Sequence, residues 1–330
     1  MNTKPLVSII IPTFNQHESF LRECIESATN QTYQHIEIII SDNHSTNGAS
    51  EIIADYAQKD SRIRIVKPPQ FVSLVENFSF AYNKAIGEFI CPLSSDDILY
   101  PQIVEELLKP FSDYPGLSFS YSIPLYFSTD ISKAKWIPDE LDTGFYTTTG
   151  FVEVYIKRRH CSWGGILFKT SDFHKMGGFS KDVNYAADTD AIIKLLLLGE
   201  GVYCINKPLS AIRQWERTEH VNRTPFVLAE VAEIFYTMEN RIKDSRITLN
   251  KNVISDAKRV IFSREVFPIA YFTVFKKRDA DIIDKTAAVI QANYPTGLFN
   301  FIVKNRKNII GLFFSFGYLG LNKLKFIFKH

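Results

Sequence analysis

Asp96 and Asp97 stand side by side in Ser94-Ser95-Asp96-Asp97, directly after the apolar run Phe89–Leu93 and ahead of a helical pattern that opens near Pro101. Adjacent carboxylates repel, and each loses hydration at a dry sheet edge, so the pair asks for a cation, a helix N-terminus or open water. Oxygen donors of this kind suit Mg²⁺ or Mn²⁺, which take one or two carboxylates and complete their shell with phosphates and water. A solvated loop ahead of a helix, where acidic residues favour the positive dipole end, accounts for the same residues without a metal. Asp42 closes another apolar run in "SDNHSTNG" and is equally a turn residue. Asp188 precedes the apolar stretch Thr189–Leu198, either as a helix cap or as a carboxylate available for general-base work. Neither G-x-G-x-x-G nor G-x-x-x-x-G-K-[ST] follows the first apolar run, so a phosphate bound here needs a cation rather than those glycine cradles.

The elements that must carry these residues follow from apolar periodicity. Val7–Ile11, Ile36–Ile40, Ile63–Val66, Phe89–Leu93 and Leu117–Tyr121 are rich in β-branched or aromatic residues and are expected to be buried strands. Between them Phe20, Leu21, Cys24, Ile25 and Ala28 recur at helical spacing, as do Leu74, Val75, Phe78, Ala81, Tyr82 and Ala85, then Ile103, Val104, Leu107 and Leu108. Alternating strand and helix demands an α/β fold with a mostly parallel sheet and helices on both faces. In such sheets ligands sit beyond the carboxyl ends of the strands, and "PTFNQ", "SDNHSTNG" and "SSDD" are what follow the first, second and fourth runs. Residues 123–160 read as loops or hairpins, "WGGILFK" at 163–169 as a strand, and Thr189–Leu198 as a buried helix. Beyond Thr224 the pattern turns helical, which sets an organisational boundary near residue 222.

Composition bounds the rest. The chain has 330 residues, 45% of them hydrophobic, and a formal net charge of +2, so no global field draws nucleic acid. Cys24, Cys91, Cys161 and Cys204 are far apart and are expected to be reduced core thiols in a cytoplasmic protein. After Asp284 the chain is basic and aromatic, carrying Lys285, Lys304, Arg306, Lys307, Lys323, Lys325 and Lys329 with no acidic residue. Its apolar stretch falls short of the roughly 20 residues that span a bilayer, leaving either a packed C-terminal helix or association with an anionic membrane surface.

In order along the chain, "VSIIIPTFNQHESFLRECIESATNQTY", "IEIIISDNHSTNGASEII" and "AIGEFICPLSSDDILYP" resemble the nucleotide-sugar half of the family 2 glycosyltransferases, which have the Rossmann-like GT-A fold. "WGGILFKTSDFHKMGGFSKDVNYAADTDAIIKLLLLGEGVYCINKPLSAIR" is similar to their acceptor half and extends the likeness to about residue 213. The resemblance implies a catalytic domain over 1–222, with 1–122 for the donor and 123–222 for the acceptor, followed by a helical region over 223–330. It implies that Pro12, Thr13, Phe14 and Asn15 line the base pocket, with Thr13 and Phe14 against the nucleobase, and that Asp42 and Asn43 bind base or ribose. The metal-binding D-x-D motif falls on Ser94–Asp97 with Ser at its first acidic position. Asp97 is then the favoured ligand of Mn²⁺ or Mg²⁺, with Asp96 toward metal or ribose. The family's base is the Asp of an E-D pair, matched by Ala187-Asp188, with Asp190 as fallback. Trp163, Gly164 and Gly165 would lie near the acceptor. Arg158 and Arg159 could meet the phosphate of a lipid-linked acceptor, such as a polyprenyl-linked saccharide, and His220 a metal or diphosphate.

The chemistry so implied is inverting transfer from a nucleotide sugar, a UDP-sugar by expectation, onto a glycan or lipid-linked saccharide of a surface polysaccharide or lipopolysaccharide. "QWER" at 214–217 departs from the Q-x-x-R-W of processive synthases, so one sugar is expected per encounter. Two alternatives stay open: a sugar-phosphate nucleotidyltransferase, which would want a Gly-rich basic loop after the first strand, and a catalytically silent sugar- or nucleotide-binding module, which Ser94 and Ala187 would suit.

Overall fold

The computed structural model describes residues 4–137, 141–158 and 161–214, with scattered helical positions between 226 and 292. Residues 4–155 and 161–214 belong to one compact unit, and the positions described from 226 onward to a second. The boundary near 222, Arg159, His220 and the basic tail from residue 293 onward lie outside the described residues.

The sheet of the first unit is built from the runs the sequence shows. Strands β1 (Val7–Thr13) and β2 (Ile36–Asp42) are buried along their whole length, because neighbours flank both edges and helices cover both faces. They pair in parallel with Thr13 beside Asp42, β2 pairs with β3 (Ile63–Val66), and β1 pairs with β4 (Phe89–Pro92). Helix α1 (Glu18–Thr29) buries Leu21, Cys24, Ile25 and Ala28, one stripe at helical spacing. Helix α2 (Ala49–Lys59) buries Ile52 and Ile53, and α3 (Leu74–Tyr82) begins with a reciprocal cap between Ser73 and Glu76.

Beyond β4 the sheet ceases to be parallel. Its order is β3-β2-β1-β4-β10-β6-β11-β9, where β6 is Leu117–Ser122, β9 Gly144–Thr147, β10 Ile166–Lys169 and β11 Gly201–Ile205. Strand β10 runs antiparallel to both β4 and β6, so β4 and β6 point the same way and end at the same edge. A second, four-stranded sheet orders β5 (Ile98–Leu99), β12 (Ser210–Arg213), β7 (Leu125–Phe127) and β8 (Lys135–Trp136). Between the strands lie α4 (Ile103–Leu108), α5 (Pro110–Asp113), α6 (Thr148–Arg158), α7 (Thr170–Lys175) and α8 (Ala187–Leu196).

Residues 123–137 and 141–158, expected as loops or hairpins, thus also hold a helix. Helix α6 buries Phe151, Val152 and Tyr155, a helical spacing masked in the sequence by the preceding run of threonines and Gly150. The strand expected over 163–169 starts at Ile166, because Trp163–Gly165 form a 3₁₀ turn. Glycine is required there: a Cβ on Gly165 would lie 2.9 Å from the Ser122 carbonyl oxygen.

All four cysteines are buried and none is in a disulfide. Burial pushes the Cys91 thiol up to about 12, so it holds its proton and does no nucleophilic work. Among the described residues no helix is long and apolar enough to cross a membrane.

Candidate active site

Parallel pairing delivers three loops to one edge, and side chains then lace them together. Asn15, in the left-handed region at φ 47°, accepts from the Thr46 N–H at 2.7 Å through Oδ1, while its own N–H donates to Ser45 Oγ at 2.9 Å. Asn47 Nδ2 donates to the Gln16 carbonyl at 2.9 Å, and Gln16 Nε2 donates to Ser95 Oγ at 3.0 Å. The loops after β1, β2 and β4 therefore form one connected rim.

Inside the rim lies Asp42. Burial alone would push its carboxyl up, but hydrogen bonds from the hydroxyl of Ser50 and from Ser45, with the charge of Lys67, bring it below its ordinary value. Thr13 is 3% exposed, and its hydroxyl makes no hydrogen bond among the described residues, which leaves a buried polar atom at the site. Phe14 stands at the mouth, 45% exposed, with its ring 4.9 Å from that of Phe71. Phe71 was not singled out by the sequence; the signal was its place after β3 at the same edge, in "PPQF". Asn43 is also tied into the fold. Its side-chain amide both donates to and accepts from the main chain of Val72, so it ties the β2 loop to the start of α3.

The two aspartates after β4 divide their roles. Asp97 is 6% exposed and accepts from the Arg213 main-chain N–H at 2.8 Å. Burial first, and the neighbouring Asp96 charge second, push its carboxyl well above the ordinary range. Asp96 keeps part of its surface open to solvent. Asp97 is thus the more enclosed of the pair, with Oδ1 bonded to the main chain, and Asp96 the more accessible. Arg213, which sequence reasoning passed over, holds this loop. Its guanidinium lies 3.7 Å from the ring centroid of Phe20 and 4.4 Å from that of Phe127, and donates to the Asp96 and Ser128 carbonyls and to Glu23. Only its position at the end of a short apolar run could have drawn attention to it.

On the acceptor side two expectations change. Trp163 is buried, donating its indole N–H to the Tyr82 hydroxyl at 2.8 Å and packing on Tyr82, Phe168 and Phe179, so it offers no face to a sugar. Gly164 instead abuts Asp97, whose Oδ2 would lie 3.3 Å from a Cβ there, and Gly165 faces Ser122. Asp190, the fallback base, is buried, accepts from Ser180 Oγ and pairs with Lys194 at 3.3 Å. Asp188 is exposed in the first turn of α8, with Oδ1 accepting from the Thr189 N–H at 2.7 Å. Ala186 rather than Asp188 is the cap residue. Near the other end of α8, Ser118 at the start of β6 donates to the Leu196 carbonyl, and residues 197–200 turn the chain directly into β11, parallel to β6, so the helix runs back against both strands. Its N-terminus thus points to the strand-end edge that carries the rim.

Among the described residues no group of three or more His, Cys, Asp and Glu gathers. The available donors are the hard carboxylate oxygens of the aspartate pair. Such a set fits Mg²⁺ or Mn²⁺ that also draws on phosphate and water, and does not fit zinc.

Comparison with known proteins agrees with this geometry. The profile of the family described as glycosyl transferase family 2 matches residues 8–177. An uncharacterized glycosyltransferase of Methanocaldococcus jannaschii is 40% identical over 120 residues, covering 36% of this chain and 41% of that protein, so the chain spans under half of that relative. Staphylococcus aureus TarS (residues 1–349) in complex with UDP-GlcNAc superimposes with a TM-score of 0.65 at 14% identity, covering 97% of this chain and 92% of that one. Mannosyltransferase PcManGT of Pyrobaculum calidifontis, in complex with GDP-Man and Mn²⁺, gives a TM-score of 0.57 at 14% identity over 98% and 87%. At these identities the likeness shows the fold, which is of the GT-A type.

Proposed function

Because the chain belongs to glycosyl transferase family 2, we propose that it moves a glycosyl group, with inversion, from a UDP-sugar to a hydroxyl of a glycan or lipid-linked saccharide in surface polysaccharide assembly. The observation that carries this reading is the laced rim of three strand-end loops, with exposed Asp188 directed to the same edge by α8. Phe14 and Phe71 offer apolar faces to a nucleobase, and the buried Thr13 hydroxyl and Asp42 offer polar atoms beside them. The complexes of the TarS and PcManGT structures with nucleotide sugars support a donor of that class here.

Asp188 accepts the proton of the acceptor hydroxyl as its oxygen bonds to the anomeric carbon and the bond to the nucleoside diphosphate breaks. The leaving diphosphate departs as a stable anion, so no protein acid is needed at that end. Asp96, with Asp97 behind it, would hold Mn²⁺ or Mg²⁺, which supplies charge neutralisation to the leaving phosphates. Arg213 fixes the Asp96 main chain, and the Gln16–Ser95 bond fixes the loop from the other side.

Melting temperature against a panel of nucleoside diphosphates, with Mn²⁺, Mg²⁺ or EDTA, tests the donor site, since binding to the native state alone raises it. A metal-dependent rise with one nucleotide, lost in Asp96→Ala, is expected; no rise with any nucleotide in folded protein would overturn the reading. Asp188→Asn is expected to lower kcat by about 10²–10⁴-fold at nearly unchanged donor affinity. A silent binding module, which Ser94 and Ala187 in place of acidic residues favour, would bind the same nucleotide with no turnover in the wild type.

A further inference from the structure

His44 adopts φ 61°, in the left-handed region that glycine enters freely and that a residue with a Cβ enters at a cost. Its imidazole has a task there. Nε2 lies 2.9 Å from the Pro68 main-chain oxygen, and a carbonyl can only accept, so Nε2 carries the proton and donates. Asn43, buried beside it in the chain, bonds to the same loop further on. Its amide donates to the Val72 carbonyl at 2.8 Å and accepts from the Val72 N–H at 3.1 Å. Two consecutive residues after β2 thus hold the loop after β3 at two points, Pro68 and Val72.

The chain between those points is short, and stiff where it begins. Pro68 and Pro69 fix their own φ, and Lys67 and Pro68, each ahead of a proline, are confined to extended backbone. Only Gln70 separates Pro69 from Phe71, whose ring is 58% exposed and stands 4.9 Å from that of Phe14 after β1. A stiff arm pinned near its root aims what it carries. We propose that His44 is a positioning residue for the nucleotide: through Pro68 it fixes Phe71 beside Phe14, so the aromatic wall of the base site stands before a ligand arrives. An exposed ring already fixed in place loses little further freedom when a base settles on it. This rests on the reading of the chain as a nucleotide-sugar enzyme. It adds the loop after β3 to the donor site, and a residue that governs affinity through another.

The test is titration calorimetry on the full chain with Mn²⁺ and whichever of UDP, CDP, GDP and ADP most raises the wild-type melting temperature. Wild type, His44→Gly, His44→Asn, Phe71→Ala and the double variant His44→Gly with Phe71→Ala are compared. Glycine and asparagine both accept the left-handed backbone, so the ligand-free melting temperature of each His44 variant should stay near that of wild type. Nucleotide affinity should nevertheless weaken by about three- to tenfold in both, the worth of one hydrogen bond. Phe71→Ala should weaken it by about tenfold or more, the worth of a base stacked on an aromatic ring. Because His44 acts through Phe71, the double variant should bind no more weakly than Phe71→Ala alone. Unchanged affinity in both His44 variants or in Phe71→Ala would overturn the proposal, as would losses that simply add in the double variant. So would a loss of affinity seen only with a collapse of the ligand-free melting temperature, which marks a merely structural role. Failure of the nucleotide-sugar reading shows separately, as wild type that binds none of the four nucleotides, and the role of His44 falls with it.

Discussion

Asp42 bears a charge where burial discourages one, and the hydroxyl and amide donors around it make that possible. Its native carboxyl titrates below the ordinary value of 3.8, so its contribution to stability is complete above that value. The contribution is lost as pH falls through the lowered native value. Acid titration of the melting temperature should therefore show a steeper fall below about pH 3.8 in wild type than in Asp42→Asn. At neutral pH Asp42→Asn should be less stable by about 1–3 kcal/mol in urea denaturation, the usual worth of hydrogen bonds to a charge. Asp42 is visible in the sequence because it ends an apolar run in a polar turn. Its donors are less so: Ser50 lies in α2, and only the turn of chain at Gly48, φ 87°, brings that hydroxyl back. The unequal exposure of Asp96 and Asp97 was also hidden, because their loop is held by Arg213, 117 positions away from Asp96 in the chain.

At the scale of elements, α8 is both a core helix and the carrier of Asp188. Lys194→Met leaves the Asp190 carboxylate buried without its cation and should destabilise the chain by about 3–5 kcal/mol. The double variant with Asp190→Leu should recover much of that loss in chemical denaturation, because removing a whole buried pair is far milder than removing half of it. Strands β1, β2, β3, β4 and β6 are legible in the sequence because each is rich in β-branched or aromatic residues; β1, β2, β4 and β6 are buried along their length, whereas β3, expected to be buried, ends the sheet and leaves Ile65 exposed. Strands β5, β7, β8 and β12 are not. They have two to four residues each, and their pairing joins distant parts of the chain, as in Ser210 with Leu99. Helix α8 is legible from its apolar length, but its cap is not, since Ala186 has no side chain that could announce it.

Across the whole molecule, a site assembled from loops far apart in sequence should answer a ligand as one body. Hydrogen–deuterium exchange with the stabilising nucleotide should slow amides of residues 14–17, 43–48 and 94–97 together. The amides of β1 and β2, already buried and paired, should change little. Protection confined to one of the three loops would contradict the laced rim. That lacing also bears on descent. Asn15 bonds to both Ser45 and Thr46, and Asn47 reaches back to Gln16. A one-residue deletion in either loop would therefore undo bonds in both, and their lengths can change only in concert. Strand β8, by contrast, ends its sheet among the described residues, with β7 as its neighbour. Insertions beside it disturb no such lacing, so in a lineage of such chains novelty can accumulate there while the rim passes on unaltered.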